Sequence, residues 1–401
     1  MTDDSQSGSG FDMEESFDVR WRHVLKFTSD AFAVGNPSLA NALAEATDRA
    51  ETRRMIAVFD AGVVRSNPGI EDGLRGYLEA HADRVPHLED VILTPGGEVA
   101  KQGDELVDRV LESISENSIC RKSVVLVIGG GAVLDAAGYA AAVAHRGVRL
   151  VRMPTTVLGQ CDSGVGVKNG INRFGKKNFV GAFVPPCSVL CDQELLRSLE
   201  DPDWTSGFSE VVKIALLKDP GLFAELERNR RAISDRDLES AMPLIARSGQ
   251  LHMEHITRGG DPFELNEARP LDFGHWSAHK LEQMTDFRLR HGDAVSIGIA
   301  LDMVYGGCTG LTDPALVDRS LQLLAGLGLP VFIPELERTV DLAEGLEEFR
   351  EHLGGELTIT MVRDVGDPVD LHEIDLQAMS QAVTELKRRS RQLQQDGSLS
   401  Q

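Results

Sequence analysis

His275 and His279 stand four residues apart in FGHWSAHKLE, on one face of an expected helix, and His291 opens the next helix in RHGDAVSIG. Two imidazoles at that spacing can grip a metal ion, yet the glutamate of the HExxH zinc-protease pattern is missing. From spacing alone, a metal pair and an ordinary structural histidine pair stand level. Upstream, SVVLVIGGGAVLDAAGYAAA places Gly129, Gly130 and Gly131 between an apolar strand and a helix. Glycines there let the backbone approach a diphosphate at the free N–H groups of a helix start. Three adjacent glycines, with Asp135 four residues after the last, depart from the GxGxxG spacing, so a plain tight turn stays open. Asp60 ends the run RMIAVFD, a place from which a carboxylate can accept hydrogen bonds from a ribose diol. TPGGEVAK brings Glu98 and Lys101 close after another strand-like run, although each alone is also an ordinary loop residue.

These groups need elements to hold them. The β-branched runs 54–60, 90–94, 123–128 and 148–154 alternate with segments of helical period at 70–82 and 99–117, which predicts a mostly parallel sheet covered by helices. After about residue 200 strand-like runs nearly vanish, and 205–218, 238–258, 274–286 and 292–306 read as helices, with LTITMV (357–362) as a lone strand. The expected architecture is therefore α/β followed by all-α: an α/β domain over 18–200, a helical domain over 201–387, and disordered or frayed tails at 1–17 and 388–401.

The bulk numbers bound the function. A chain of 401 residues, 42% hydrophobic and 26% charged, is long enough for two packed cores. A formal net charge of -22 argues against nucleic acid and against anionic membranes, so any phosphate ligand must find a local basic pocket. The polar, acidic start carries no basic-then-apolar leader, and no run approaches the roughly 20 apolar residues of a membrane span, which gives a cytoplasmic expectation. Cys120, Cys161, Cys187, Cys191 and Cys308 are odd in number and form no CxxC pair, so neither disulfides nor a thiolate zinc site is indicated.

The stretch MPTTVLGQCDSGVGVKNGINRFGKKNFVGAF (153–183) closely resembles the central segment of dehydroquinate synthase. With GGGAVLDAAG, HRG at 145–147 and FSEVVKIAL at 208–216, the resemblance covers roughly residues 55–310, and the chain is identified as a member of the dehydroquinate synthase-like sugar phosphate cyclases. That resemblance implies a Rossmann-like NAD domain, a helical metal-binding domain, a site in the cleft between them and a homodimer. It implies Glu210, His275 and His291 as ligands of zinc or cobalt, and Asp162, Lys168, Lys213 and His279 as catalytic groups. On the cofactor side it places Asp60, Glu98, Lys101, Gly129, Gly130, Gly131, Asp135, Thr155, Thr156, Lys177 and Asn178. Arg146, Lys168, Lys177, Asn178 and Lys213 match phosphate and substrate contacts. The implied chemistry is transient oxidation by NAD, β-elimination of phosphate from a phosphorylated sugar, reduction, and aldol closure to a carbocycle.

Departures cluster on the substrate side. Where dehydroquinate synthases resemble RxxLNFGH, this chain reads ARPLDFGH, with Ala268 for the arginine, Asp272 for the asparagine and Arg269 one residue out of register. His252 replaces a lysine in QLHMEHI, and Arg350 and Glu351 stand where a DKK segment is expected. The lost cations would bind a substrate carboxylate, and a buried carboxylate left unpaired is costly. The implied substrate lacks it: a seven-carbon ketose phosphate such as sedoheptulose 7-phosphate, contacted by His252, Arg269 and Asp272. GHWSAH keeps His279, unlike the GHTWSP-like form of valiolone-type cyclases, so the chain looks most like the divergent EboD-like branch. The alternatives are 3-dehydroquinate synthase proper and, further off, an NAD- and metal-dependent alcohol dehydrogenase related to glycerol dehydrogenase.

Overall fold

The computed structural model describes residues 12–47, 54–263, 270–352 and 355–395. Its strands in chain order are β1 (Leu25–Thr28), β2 (Arg54–Asp60), β3 (His87–Thr94), β4 (Val124–Gly129), β5 (Arg149–Pro154), β6 (Lys168–Arg173), β7 (Lys176–Phe183) and β8 (Ser188–Asp192). Six of them form one parallel sheet in the order β1-β8-β5-β4-β2-β3. Successive residues of β2 and β4 are buried on opposite faces. Ile56, Val58, Val125 and Val127 pack under the helices Glu105–Glu116 and Gly131–Val143, while Met55, Phe59, Leu126 and Ile128 pack under Ser38–Ala46 and Ile70–Ala80. A sheet buried on both faces has no polar alternation, which is why its strands read as continuous apolar runs.

The chain leaves β2 for β3 on one side and returns with β4 on the other, so the order reverses between β2 and β4. Ligands of open parallel sheets bind at such a reversal, beyond the carboxyl ends of the strands. Asp60 and Gly129 end the two strands that flank it.

β1 and β8 are additions to the four strands expected from sequence. β8 is a five-residue run just behind Pro185-Pro186-Cys187 and β1 is only four residues long, too short to display a period. β6 and β7 form a separate antiparallel hairpin, pairing Lys168 with Phe183 and Ile171 with Val180, lying against the helix Gly131–Val143. Arg152 of β5 anchors the segment leading into it. Its wholly buried guanidinium donates to the carbonyl oxygens of Gly164, Gly166 and Lys168 at 3.1, 2.9 and 3.0 Å and to Asn169 Oδ1 at 2.8 Å.

Helices dominate from Asp201 onward: Asp201–Lys218, Pro220–Ser234, Leu238–Arg258, His275–Met284, His291–Thr309, Pro314–Gly326 and Thr339–His352. The single late strand expected at 357–362 is half of a hairpin, β9 (Ile359–Asp364) with β10 (Asp367–Leu371). The tail expected to fray from 388 is instead helical to Gln395 within Leu376–Gln395. Leu386 and Ser390 are buried there, and Arg389 pairs with Glu385 at 2.7 Å and with Asp318. Of the segment 1–17, residues 12–17 are described, exposed and outside any helix or strand.

Replacing Arg152 by Leu leaves those four acceptors buried without their donor. The expected loss is about 1–3 kcal/mol of folding stability, the cost of leaving buried neutral acceptors unsatisfied. Chemical denaturation of the variant beside the parent protein measures it.

Candidate metal and cofactor site

Three helices converge where glycines permit it. Gly274, at a φ of +77°, stops the chain just before His275, and a Cβ on Gly298 would lie 2.0 Å from its carbonyl oxygen. A Cβ on Gly292 would lie equally close to Ser206 O, so the helix beginning at His291 abuts Asp201–Lys218 directly. Asp302, buried, fixes the start of the His275 helix by accepting from Gly274 N at 3.0 Å and Trp276 Nε1 at 2.9 Å. Burial pushes its carboxyl up to about 7, against the pull of those two donors.

The crossing brings Glu210, His275 and His291 together, with one ligand atom from each lying within 4.8 Å of the others. Glu210 Oε1 is 3.4 Å from His275 Nε2 and 3.8 Å from His291 Nε2. Ligands about 2.0–2.2 Å from a tetrahedral ion are separated by roughly 3.4 Å, so the spacing suits a metal of the zinc class. Two further observations agree. Glu210 is fully buried, and its oxygens face the Lys213 ammonium and the two imidazoles. His275 Nδ1 lies 3.1 Å from Phe273 O, which fixes the tautomer that leaves Nε2 free to ligate.

The surrounding charges are interlocked. Lys213 Nζ is 2.5 Å from Glu210 Oε2 and 3.9 Å from Asp162 Oδ1, and His252 Nδ1 is 2.9 Å from the same Asp162 oxygen. Burial alone would raise the two acids, but Lys213 and the neighbouring histidines, His252 and His275 for Asp162 and His275 for Glu210, together more than offset it, and both sit below the usual carboxylate range. Burial likewise pulls Lys213 down, and Glu210 and Asp162 return it above its ordinary value. Asp162 is delivered by a π-helical turn, Gly159–Ser163, that packs on Leu238–Arg258. Asp272 adds negative charge near Lys213 and His279. The exposed His279 ring stacks on that of His291, centroids 6.1 Å apart.

On the sheet side, Gly129 to Gly131, Asp60, Thr155 and Thr156 gather at the carboxyl edge, Thr155 N donating to Gly129 O at 3.0 Å. The glycines also serve close packing, since a Cβ on Gly131 would meet Ser163 Oγ at 2.6 Å. Asp60 caps the helix Ala61–Ser66, accepting from Gly62 N at 2.7 Å, so its carboxylate has a structural partner as well as an edge position. Lys101 and Asp135 pair with each other at 2.7 Å and tie the turn after β3 to the glycine helix. Glu98 accepts from Asn172 Nδ2 at 2.6 Å, and Asn172 Oδ1 in turn accepts from Asn178 N. Lys177 reaches across to the helical domain and binds Glu282 at 2.7 Å.

Not every expected residue joins this group. Arg146 is exposed and precedes Arg149, which pairs with Val124 at the amino end of β4, whereas the glycines close its carboxyl end. The intervening helix of 13 residues spans roughly 20 Å, so Arg146 is on the opposite edge of the sheet from its own chain's site. Its assignment as a substrate contact is corrected for this chain alone. Lys168 and Asn178 are exposed on the β6–β7 hairpin. Arg350 is exposed and paired with Glu347. Arg269 and Ala268 lie outside the described residues. Sequence reading passed over Arg152, Asn172, Asp302 and Glu282. Glu282 had a usable signal, because it stands seven residues after His275 and so shares its helical face.

The pattern described as 3-dehydroquinate synthase N-terminal matches residues 91–206, and 3-dehydroquinate synthase C-terminal matches 207–353. The chain belongs to the dehydroquinate synthase family of sugar phosphate cyclases. Within that family it is 32% identical to a 2-epi-5-epi-valiolone synthase of Streptomyces glaucescens, over 96% of each chain. It is 37% identical to a 3-dehydroquinate synthase of Cereibacter sphaeroides, over 68% of this chain and 74% of that one. A solved 2-epi-5-epi-valiolone synthase of Streptomyces hygroscopicus, with NAD+ and Zn2+ bound, superposes with a TM-score of 0.84 at 28% identity, covering 94% of this chain and 100% of the other. This cyclase family thus accounts for both the sheet edge and the helical crossing.

Adding Zn2+ or Co2+ to metal-free protein is expected to raise its stability by about 2.7 kcal/mol at a hundredfold excess over Kd, and Glu210→Ala should abolish the effect. Thermal unfolding with and without metal reads it. Burial pulls His291 down, but Glu282 and Glu210 more than offset it and hold the ring above its ordinary value. A metal must displace that proton, so affinity is expected to fall as pH drops through the raised pKa, as calorimetric titration at several pH values would show.

Proposed function

We propose that the protein is an NAD- and metal-dependent cyclase, a carbon–oxygen lyase that converts a seven-carbon ketose phosphate such as sedoheptulose 7-phosphate into a carbocycle with loss of phosphate. NAD, when bound, takes up and returns a hydride, and a zinc or cobalt ion polarises substrate oxygens. A His2Glu set accepts either metal.

The chain's own residues divide the remaining work. Glu210, His275 and His291 would hold the ion, and Lys213 lies close enough to meet substrate oxygens beside it. His279, open to the cleft and stacked on His291, is placed to relay a proton. The glycine turn, Thr155 and Thr156 would face the cofactor's phosphates at the strand-order reversal. Lys168 and Asn178, exposed residues of the β6–β7 hairpin, would meet the substrate phosphate.

The observation that carries the substrate choice is the occupation of the cations by resident acids. Lys213 is flanked by Glu210 and Asp162, Lys177 is held by Glu282, and His252, at the position of a family lysine, is held by Asp162. Asp272 adds further negative charge to the same wall. A substrate carboxylate would meet this surface at an electrostatic cost, whereas neutral hydroxyls would find acceptors. That favours the ketose phosphate over the acid used by 3-dehydroquinate synthases, although both kinds of enzyme are among the relatives. We further propose that the protein works in the cytoplasm as a homodimer, divided near residue 200 into cofactor and metal domains.

Purified protein with NAD and Zn2+ or Co2+ is expected to release inorganic phosphate from sedoheptulose 7-phosphate without net NADH. Phosphate release from the carboxylated sugar phosphate alone would contradict the substrate. Accumulating NADH with glycerol would point to the dehydrogenase alternative.

A further inference from the structure

Each histidine of the metal set has a second ring nitrogen that must be held for the first to aim correctly. Phe273 O does this for His275, and for His291 the group beside Nδ1 is Glu282, its Oε1 3.5 Å away. Glu282 is only 1% exposed, its Oε2 makes no hydrogen bond, and it lies on the same helix as His275. A carboxylate so deeply buried is costly unless a cation accompanies it. That cation is Lys177 Nζ, 2.7 Å from the same Oε1, and it comes from β7, outside the helical domain. The lysine lies beside the Phe287 ring, 5.1 Å from its centroid, and has Glu98 at 3.8 Å as a weaker second partner.

We propose that Glu282 is a positioning residue for the metal centre, and that Lys177 couples it to the seating of the β6–β7 hairpin. The inference rests on the metal reading above. The carboxylate holds the His291 imidazole with Nε2 turned toward Glu210 and makes it a stronger donor. Because Oε1 serves both His291 and Lys177, drawing the hairpin away loosens the ring, and closing the cofactor side onto the helices firms it. His279, Glu282 and His291 also lie within 4.8 Å of one another and so resemble a metal set in their own right. The Lys177 ammonium on Glu282 opposes a second cation there.

The test is titration of metal-free, full-length protein with Co2+, following both stoichiometry and the visible bands of the ion. The parent protein should bind one ion per chain, lost in Glu210→Ala, and failure of that step would remove the metal reading itself. Glu282→Ala should weaken Co2+ binding about 10- to 100-fold and shift the bands, the range seen when a partner behind a ligand is removed. Glu282→Gln, which keeps size and an acceptor oxygen, should weaken binding by a smaller factor and carries the test alone if the alanine variant does not fold. Lys177→Met should weaken binding less than Glu282→Ala and add nothing in the double variant. Parent-like affinity and bands in a folded Glu282 variant would overturn the positioning role, and additive losses would overturn the coupling. A second ion per chain that disappears with Glu282→Ala would make Glu282 a ligand instead.

Discussion

A wholly buried carboxylate at the centre of three crossing helices is the constraint on which the rest of this molecule depends. Glu210 is fully buried and its oxygens face the Lys213 ammonium and the imidazoles of His275 and His291. A buried charge is among the most expensive things a fold can hold unless it is paired. The structure accommodates it with an adjacent ammonium and with two imidazoles whose Nε2 atoms point inward, an arrangement that a divalent cation completes. The helix crossings follow from this need. Gly274, Gly292 and Gly298 have no side chain because any Cβ would hold the three helices apart and separate the donors.

The sheet supplies the other half of the cleft, and specific charged links join the two halves. The π-helical turn after β5 carries Asp162 to Lys213 and His252, and Lys177 carries the hairpin to Glu282. Arg152 stands behind both, since the backbone it gathers by its guanidinium leads from that turn into β6. The geometry thus adds charged links to the apolar packing of Val157 and Cys161 against the helices after residue 200. In such an arrangement the local cations are engaged by acids, and a protein of net charge -22 presents a substrate with alternating charge rather than a basic funnel.

Much of this was legible in the sequence because the relevant patterns are local. The apolar runs of β2, β4 and β5 and the helical periods after residue 200 come from burial on two faces or one, and they appear as the elements expected. Glu210, His275 and His291 were named through the family resemblance, and the fold brings them within reach of a single ion. What was illegible depended on long-range contact. β1 is too short to show a period and exists because it pairs with β8, and the terminal helix persists past 388 because Arg389 finds Asp318. Arg146 matched a motif, but a motif carries no information about which edge of a sheet a residue occupies. Arg152 was passed over inside the run 148–154, and only the carbonyls around its guanidinium explain a charge there.

The central claim, that the helix crossing is a metal centre, is tested most directly by anomalous scattering from crystals grown with Co2+. The account predicts one strong peak per chain, about 2.0–2.2 Å from a Glu210 oxygen and from Nε2 of His275 and His291. A peak seated instead between His279 and Glu282, or none at the crossing at full metal occupancy in solution, would contradict it.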